Sequence, residues 1–262
     1  MTVKIATWNV NSIRLRIAHL TDWLRNSAPD IVLLQELKAT SEVFPYMEIE
    51  ELGYNVALFG QKSYNGVAIL SKLPLSDIKN GLPGDDGDAE ARYIEAIASG
   101  KGFALRVASI YVPNGQSPDS DKFQYKLRFL ERLRAHVESL LRFEEVLVIG
   151  GDYNVAPDPI DVYDPQGLDG TTCFHPLERA ALRAITHLGV YDAFRILHPE
   201  KQVFSWWDYR GNGFDAGKGM RIDHLLLSPQ AADRLESCEI VHSLRELEKP
   251  SDHAPVMCGL AL

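Results

Sequence analysis

Cysteine is scarce: Cys173, Cys238 and Cys258 are the only three in 262 residues. Their number is odd and their placing scattered, which excludes a disulfide framework and points to reduced thiols in a cytosolic protein. No Cys/His cluster has the spacing of a zinc site. Long apolar runs are missing as well. None approaches the ~20 residues that a bilayer-spanning helix requires, so no membrane partner is expected. The opening MTVKIATWNV reads as a strand, without the positive stretch and apolar core of a secretory leader. Positive charge is in deficit, with 27 Lys and Arg against 36 Asp and Glu. The resulting net charge of −9 argues against a protein that coats nucleic acid through bulk attraction. It leaves nucleases open, because carboxylates that bind a divalent cation belong beside phosphate and the ion reverses the local sign. Much of the acidic excess sits in SEVFPYMEIEEL, GDDGDAE and DPIDVYD, segments able to lie away from a basic face.

Linkers are lacking too. The Pro/Gly-rich stretches LPGDDGDAE and APDPIDVYDPQGLDG are short and acidic, and they read as surface loops. The 45% hydrophobic content suffices for one large core, so one domain is expected over 1–262. Strand signals rich in Val, Ile and aromatics recur at Val3–Val10, Ile31–Glu36, Gly66–Ser71, Arg92–Ala98, Phe103–Val112, Val146–Asn154, Val203–Asp208, Arg221–Ser228 and Ala254–Leu262. Ile13, Ile17, Leu20 and Leu24 recur at helical spacing, with Pro29 as a stop. Lys122–Phe143 carries an apolar stripe through Phe123, Leu127, Leu130, Val137 and Leu141. A third helix is expected from Leu177 to Leu188, capped by Gly189. Alternating strands and helices imply an α/β protein built in layers.

Polar residues punctuate the ends of several strands. TWNVN supplies Asn9 and Asn11, LLQE supplies Glu36, and YVPNG supplies Tyr111 and Asn114. VLVIGGDYNVAP breaks from an apolar run into Asp152 and Asn154, two positions apart and so on one side of an extended chain. RIDH supplies Asp223, and KPSDH supplies Asp252 and His253. Each has a bland reading: Asn9, Asn11, Asp152 and Asn154 as turn formers, Glu36 as a partner of Lys38, Asp252 as a strand start, Tyr111 as a half-buried strand residue. Taken together they are harder to set aside, because charges among apolar runs are costly unless paired or metal-bound. If the ends converge, Asn9, Glu36, Asp152, Asn154 and Asp252 form a hard-oxygen set suited to Mg²⁺, with Mn²⁺ as a substitute. His253 is a poor ligand for such an ion but a good proton donor to phosphate, and Asp223 is the best candidate to hold its other ring nitrogen. That set describes metal-assisted phosphodiester hydrolysis.

TWNVNSIR, DIVLLQELK, YNGVAILSK, YVPNG, GGDYN, FSWWDYRGNGFD, GMRIDHLLLS and EKPSDHAPV stand in the order found in the exonuclease III class of apurinic/apyrimidinic endonucleases, within the exonuclease–endonuclease–phosphatase superfamily. The chain resembles that class from about Lys4 to its end, and EKPSDHAPV looks especially like the bacterial branch. GDxN and SDH suit many superfamily members; YVPNG, SWWDYR and RID are more specific. The resemblance implies a four-layer α/β sandwich, two central mixed β-sheets flanked by helices. It implies a Mg²⁺-dependent DNA repair nuclease that cuts 5′ to abasic sites and trims 3′ ends as a 3′–5′ exonuclease. Its partner is double-stranded DNA with abasic sites or 3′ ends, met by a monomer in the cytoplasm, on the nucleoid of a bacterium.

The resemblance also implies roles. Glu36 is the principal metal ligand, with Asn9, Asp252, Asp152 and Asn154 completing the site. Asp152 orients and deprotonates the attacking water, Tyr111 contacts phosphate or helps the leaving oxygen, and Asp223 orients His253, which stabilises the charged phosphorane. The number of metals and the identity of the base stay open. Asn11 occupies a position where some relatives carry Asp, so contact through water suits it better than direct ligation. Trp206, Met220 and Ile222 correspond to an apolar pocket for a base-less sugar, the alternative being core packing; Trp207 reads as core. Arg92 and Asn114 are candidate DNA contacts, as are Lys122, Lys126, Arg210, Lys218 and Arg221 along the backbone. Gly150 and Gly151 are expected to admit a close approach of phosphate. The loop Ser63–Asn65 is expected to near the opposite strand. The other histidines show no ligand pattern. Rival readings are a phosphoinositide phosphatase, a sphingomyelinase or a secreted deoxyribonuclease of the same superfamily, and a DNA-binding protein with a dead site.

Overall fold

A computed structural model describes residues 1–262. The chain opens with β1 (Thr2–Asn9), α1 (Ile13–Ser27), β2 (Ile31–Gln35), α2 (Tyr46–Glu50), β3 (Asn55–Phe59) and β4 (Val67–Ser71). Next come β5 (Leu75–Asn80), β6 (Tyr93–Gly100), β7 (Phe103–Tyr111), the long helix α3 (Asp121–Leu141) and β8 (Leu147–Asp152). After α4 (Pro176–Thr186) follow β9 (Tyr191–Asp192), α5 (Ala193–Leu197) and the short pair β10 (Trp206–Trp207) and β11 (Gly219–Met220). β12 (Asp223–Leu227), α6 (Pro229–Ala232), β13 (Leu235–Ile240) and β14 (Val256–Ala261) complete the chain.

Two six-stranded sheets result, ordered β13-β14-β1-β2-β4-β3 and β5-β6-β7-β8-β12-β9. Each is mixed. β1 runs parallel to β2 and β7 parallel to β8, while the remaining neighbours are antiparallel. Side chains alternate, so Val3 and Ile5 of β1, Ile31 and Leu33 of β2, Leu105 and Val107 of β7 and Val148 of β8 meet between the sheets. Ala6, Trp8, Val32 and Leu34 point the other way, onto Ile13, Leu20, Trp23 and Leu24 of α1. Ala108, Ile110 and Ile149 likewise face Phe129, Leu130, Leu133 and Val137 of α3 and Leu182 and Ile185 of α4. Helix, sheet, sheet, helix: the four-layer α/β sandwich expected from the sequence is the fold observed.

The same alternation places the site. Along the inner faces the apolar residues give way, at one end, to Thr7 and Asn9, Gln35, Ser109 and Tyr111, Asp152, and Asp223. Gln35 Nε2 donates to Thr7 Oγ1 at 3.0 Å and to Ser109 Oγ at 2.9 Å, so the two sheets are joined by buried hydrogen bonds just below that end. Buried polar groups are tolerated only when paired in this way.

Several expectations need correction. The strand expected over Val203–Asp208 shrinks to Trp206–Trp207, because its partner β11 is itself two residues long. β3, β5 and β13 went unseen; all three are edge strands, and β5 and β13 show the charged, half-exposed pattern that protects a free edge. Gly150 and Gly151 are strand residues packed inside. A Cβ on Gly150 would come within 2.6 Å of Leu33 and Leu225 side chains, and one on Gly151 within 1.9 Å of the Ile110 carbonyl oxygen. They permit close packing of β8 and do not line a phosphate site. The helix expected to end at Leu188 stops at Thr186, and Gly189, at φ +100°, follows two residues beyond its αR cap His187.

Candidate functional site

β7 and β8 deliver their last residues, Tyr111 and Asp152, to one cavity of about 260 Å³, which the loops after β2, β7 and β8 and before β14 complete. Glu36, Tyr111, Asn114, Asp152, Asn154, Trp206, Met220, Ile222, Asp252 and His253 line it, as does Cys173. The backbone here is strained. Asn11, Glu36, Lys38, Asn154 and Cys173 all have φ between +43° and +71°, a conformation costing of order 1 kcal/mol or more for non-glycine residues. Hydrogen bonds across the loops hold them: Ser12 N–H donates to Glu36 O at 2.8 Å, and Leu37 N–H to Gly66 O at 3.1 Å.

Glu36, Asp152 and His253 bring ligand atoms within 4.8 Å of one another. Asn9 Nδ2 donates to Glu36 Oε1 and to Asp152 Oδ2, both at 2.9 Å, so one amide serves two carboxylates. Its carbonyl oxygen accepts the Asn11 N–H at 3.0 Å, and Asn9 as placed is a donor to the carboxylates rather than an oxygen ligand. Asp252 stands apart from the Glu36–Asp152 pair. Its Oδ1 accepts from Asn11 Nδ2 at 2.8 Å and its Oδ2 from Trp206 Nε1 at 3.0 Å, bonds that with His253 outweigh burial and hold its pKa below the ordinary value. Lys38 Nζ lies 2.9 Å from Glu36 Oε2 and 2.5 Å from Asn11 Oδ1.

One ring nitrogen of His253 is bonded to a carboxylate and the other is left free to donate. Nδ1 lies 2.9 Å from Asp223 Oδ2, and Nε2 faces Asp152 Oδ2 at 3.7 Å. Burial alone would lower its pKa, but Asp223 and Asp152 outweigh that and raise it to about 10, so the ring is a cation. Behind it, Ser205 Oγ donates to Asp223 Oδ2 at 2.6 Å and accepts the N–H groups of Ile222 and Asp223 at 3.1 Å each. Burial, against the charge of His253 and with Asp223 and Glu36 adding to it, pushes the Asp152 carboxyl up to about 7. Burial and the charges of Glu36 and Asp152 likewise push the Tyr111 phenol well up. Arg92 stacks over the Tyr111 ring at 4.8 Å and donates to its carbonyl oxygen at 3.4 Å, which fixes the phenol against the cavity.

This donor set fits a hard divalent ion. The carboxylates are packed closely enough that burial leaves Asp152 reluctant to ionise, and a cation among them relieves that repulsion. The one thiol in the cavity, Cys173, is pushed up to about 12 by burial and is no thiolate ligand.

Beside the charged group the cavity turns apolar. Met220, Ile222 and Cys173 pack with Ala156, Val162 and Phe174, and Trp206 closes the rim. Trp207 is buried against His242 and Phe214, as core. A wider cavity of about 740 Å³ adjoins this one and shares Tyr111 and Asn114; Arg92, Lys122, Tyr64 and Asn65 line it. Lys122, Arg210 and Lys218 are exposed. Lys126 and Arg221 are not, and their expected DNA contacts are corrected: Lys126 is buried against Glu178, and Arg221 against Asp161 and Asp192. Sequence reading missed Ser205, Cys173 and the Asn11–Asp252 bond. None has a periodic or spacing signal; only proximity to Trp206 pointed toward Ser205.

The Endonuclease/Exonuclease/phosphatase family model matches residues 6–253. An exodeoxyribonuclease III of Haemophilus influenzae is 36% identical over 97% of this chain and 98% of its own length. A 3′ phosphatase from Neisseria, solved bound to product DNA hairpin, superposes with a TM-score of 0.95 at 38% identity, covering 99% of this chain and 100% of that one. An AP endonuclease from Archaeoglobus fulgidus superposes with a TM-score of 0.94 at 39% identity and the same coverage.

Proposed function

The chain belongs to the Endonuclease/Exonuclease/phosphatase family, and from that footing we propose that the whole of it, 1–262, is a metal-dependent DNA repair nuclease. It hydrolyses phosphodiesters in duplex DNA, cutting 5′ to abasic sites and trimming 3′ ends. It acts as a monomer in the cytoplasm, on the nucleoid of a bacterium. One arrangement carries the reading: a buried Asp223–His253–Asp152 relay beside Glu36, in a cavity whose other wall is apolar. Both proposed substrates need the same reaction. Water attacks phosphorus and gives up one proton, the P–O3′ bond breaks, and the 3′ oxygen leaves as an alcohol that takes one up, so the protons balance.

Asp152, held by the Asn9 amide and the Asn154 N–H, accepts the proton of the attacking water. His253, held as imidazolium by Asp223, donates to a non-bridging phosphate oxygen as negative charge builds there. Asn154, whose N–H donates to Asp152 Oδ1 at 2.8 Å, keeps that carboxylate turned toward the water. Tyr111, clamped under Arg92 and lining the cavity, contacts the phosphate or helps the leaving oxygen. Glu36 and Asp152 would hold the ion, for which Mg²⁺ is proposed and Mn²⁺ substitutes, with Asn9 orienting both carboxylates and Asn154 and Asp252 lining the same cavity. The bound ion supplies Lewis-acid stabilisation of phosphate charge. Trp206, Met220 and Ile222 accept a base-less sugar, and the small volume of the cavity shuts out one that carries a base.

A labelled duplex containing one tetrahydrofuran abasic analogue, run beside a recessed 3′-end duplex, tests this. Both are expected to be cut with Mg²⁺ and spared with chelator. Robust cutting under chelation removes the metal, and absence of cutting under every divalent ion removes the nuclease. Glu36→Gln is expected to weaken Mn²⁺ binding by about 10-fold or more, read by electron paramagnetic resonance without substrate.

A further inference from the structure

Lys126 lies on the inner face of α3 with its side chain wholly buried. Its ammonium has three hydrogens, and three acceptors surround it: the backbone carbonyl oxygens of Asn114 at 3.1 Å and Asn154 at 2.7 Å, and Glu178 Oε1 at 2.5 Å. The two carbonyls belong to different loops, one leaving β7 and one leaving β8. The side chains of these asparagines also meet, Asn114 Nδ2 donating to Asn154 Oδ1 at 2.9 Å. Asn154 holds φ +50°, and its N–H bonds Asp152. Gly115, at φ +91°, lets the first loop close over the lysine; a Cβ there would come within 3.1 Å of Lys126 Cδ.

A buried ammonium is costly unless paired, and replacing a buried ion pair by apolar residues of similar volume is often neutral or stabilising. Stability alone is thus a poor account of this one. Glu178 supplies the countercharge, while its Oε2 accepts the His175 N–H at the start of α4. The cation thereby ties both outer helices of this face to the two loops. An apolar side chain could fill the volume but not satisfy two carbonyl oxygens that converge on one point.

We propose that Lys126 is a positioning residue for the hydrolysis. It fixes the Asn114 and Asn154 loops at one separation, so that Tyr111, Asp152 and Asn154 meet the phosphate in a single geometry. The proposal rests on the functional reading above, which gives those three residues their roles. Lys126 itself touches neither substrate nor metal.

The test uses the full chain with Lys126→Met and Glu178→Gln together, which leaves no uncompensated buried carboxylate. On the tetrahydrofuran duplex, kcat per folded molecule is expected to fall about 10- to 100-fold with KM within about twofold. The side-chain amide resonances of Asn114 and Asn154 in metal-free protein are expected to shift, with those of distant asparagines unmoved. A merely structural role lowers the melting temperature but leaves kcat and those resonances unchanged, and that result overturns the proposal. Should the double variant not fold, Lys126→Arg is read by the same criteria: it keeps the charge paired, but a flat guanidinium cannot aim three N–H groups at acceptors gathered around one atom. If the unaltered protein cuts no duplex, the functional reading fails, and the asparagine resonances alone then decide whether Lys126 fixes the two loops.

Discussion

His253 Nδ1 and Asp223 Oδ2 lie 2.9 Å apart, and the opposite ring nitrogen looks across 3.7 Å to Asp152. The Asp223 carboxylate therefore sets both the orientation and the charge of the ring. Asp223→Asn is expected to lower the pKa of His253 from about 10 toward the ordinary histidine range, because the largest raising influence is gone. The imidazolium then disappears on the alkaline side first, and kcat at pH 8 falls on the order of 10²-fold or more. Titrating the ring proton of metal-free protein by NMR checks the first half. A His253 in the unaltered chain that titrates near 6.5 defeats it.

Asp152 receives one half of the Asn9 amide, faces His253 and accepts the Asn154 N–H, so it is fully oriented before substrate arrives. Asp152→Asn keeps the shape and removes the proton acceptor. Turnover is expected to drop by about 10³-fold or more, while the dissociation constant for an abasic duplex in Ca²⁺ changes only a few-fold. Near-normal turnover ends its proposed role as base.

Trp206 does two things at once: its ring closes the apolar side of the cavity, and its Nε1 holds Asp252. Trp206→Ala removes both, Trp206→His keeps a donor with a much smaller ring. If the ring selects the base-less sugar, Trp206→His should lose abasic incision by about 10-fold while trimming of an ordinary recessed 3′ end falls much less. Equal losses on both substrates mean that the residue matters through Asp252 or the core alone.

The layers were legible in the sequence because they depend on period-two alternation. Val3, Ile5, Thr7 and Asn9 share a face whatever the partner strand is, and so do Val148, Gly150 and Asp152. Which polar residues meet across the sandwich was not written in that alternation; the order of motifs along the chain supplied it through resemblance. Edge strands such as β5 and β13 escaped, since a strand covered on one side carries the charges that otherwise announce a loop. The burial of Lys126 and Arg221 escaped for a related reason. Their partners Glu178, Asp161 and Asp192 lie 52, 60 and 29 residues away, and nothing local marks a lysine or arginine as paired inside. Ser205 was hidden more simply: its two accepted N–H groups belong to the chain around Asp223, and a serine before two tryptophans has no spacing to betray it.

Away from the site, Glu95 on β6 is a buried carboxylate with several partners. Tyr93 Oη donates to it at 2.7 Å and His136 Nε2 lies at 2.8 Å, with Lys79 Nζ and Arg106 at 3.3 Å. Burial acts to raise its pKa, but the hydrogen bonds from His136 and Tyr93 and the nearby positive charges outweigh it and hold the group at about 2. A carboxyl whose folded pKa lies below its unfolded value stabilises the native state above the unfolded pKa, and that contribution disappears as pH falls through the folded one. The window for Glu95 thus runs from about 4.5 down to about 2, and the contribution above it is at most about 3 kcal/mol. Glu95→Gln is expected to lower the urea midpoint clearly at pH 7 and progressively less toward pH 3. An offset of the same size at both pH values shows that lost packing, and not the charge, is what the substitution removed.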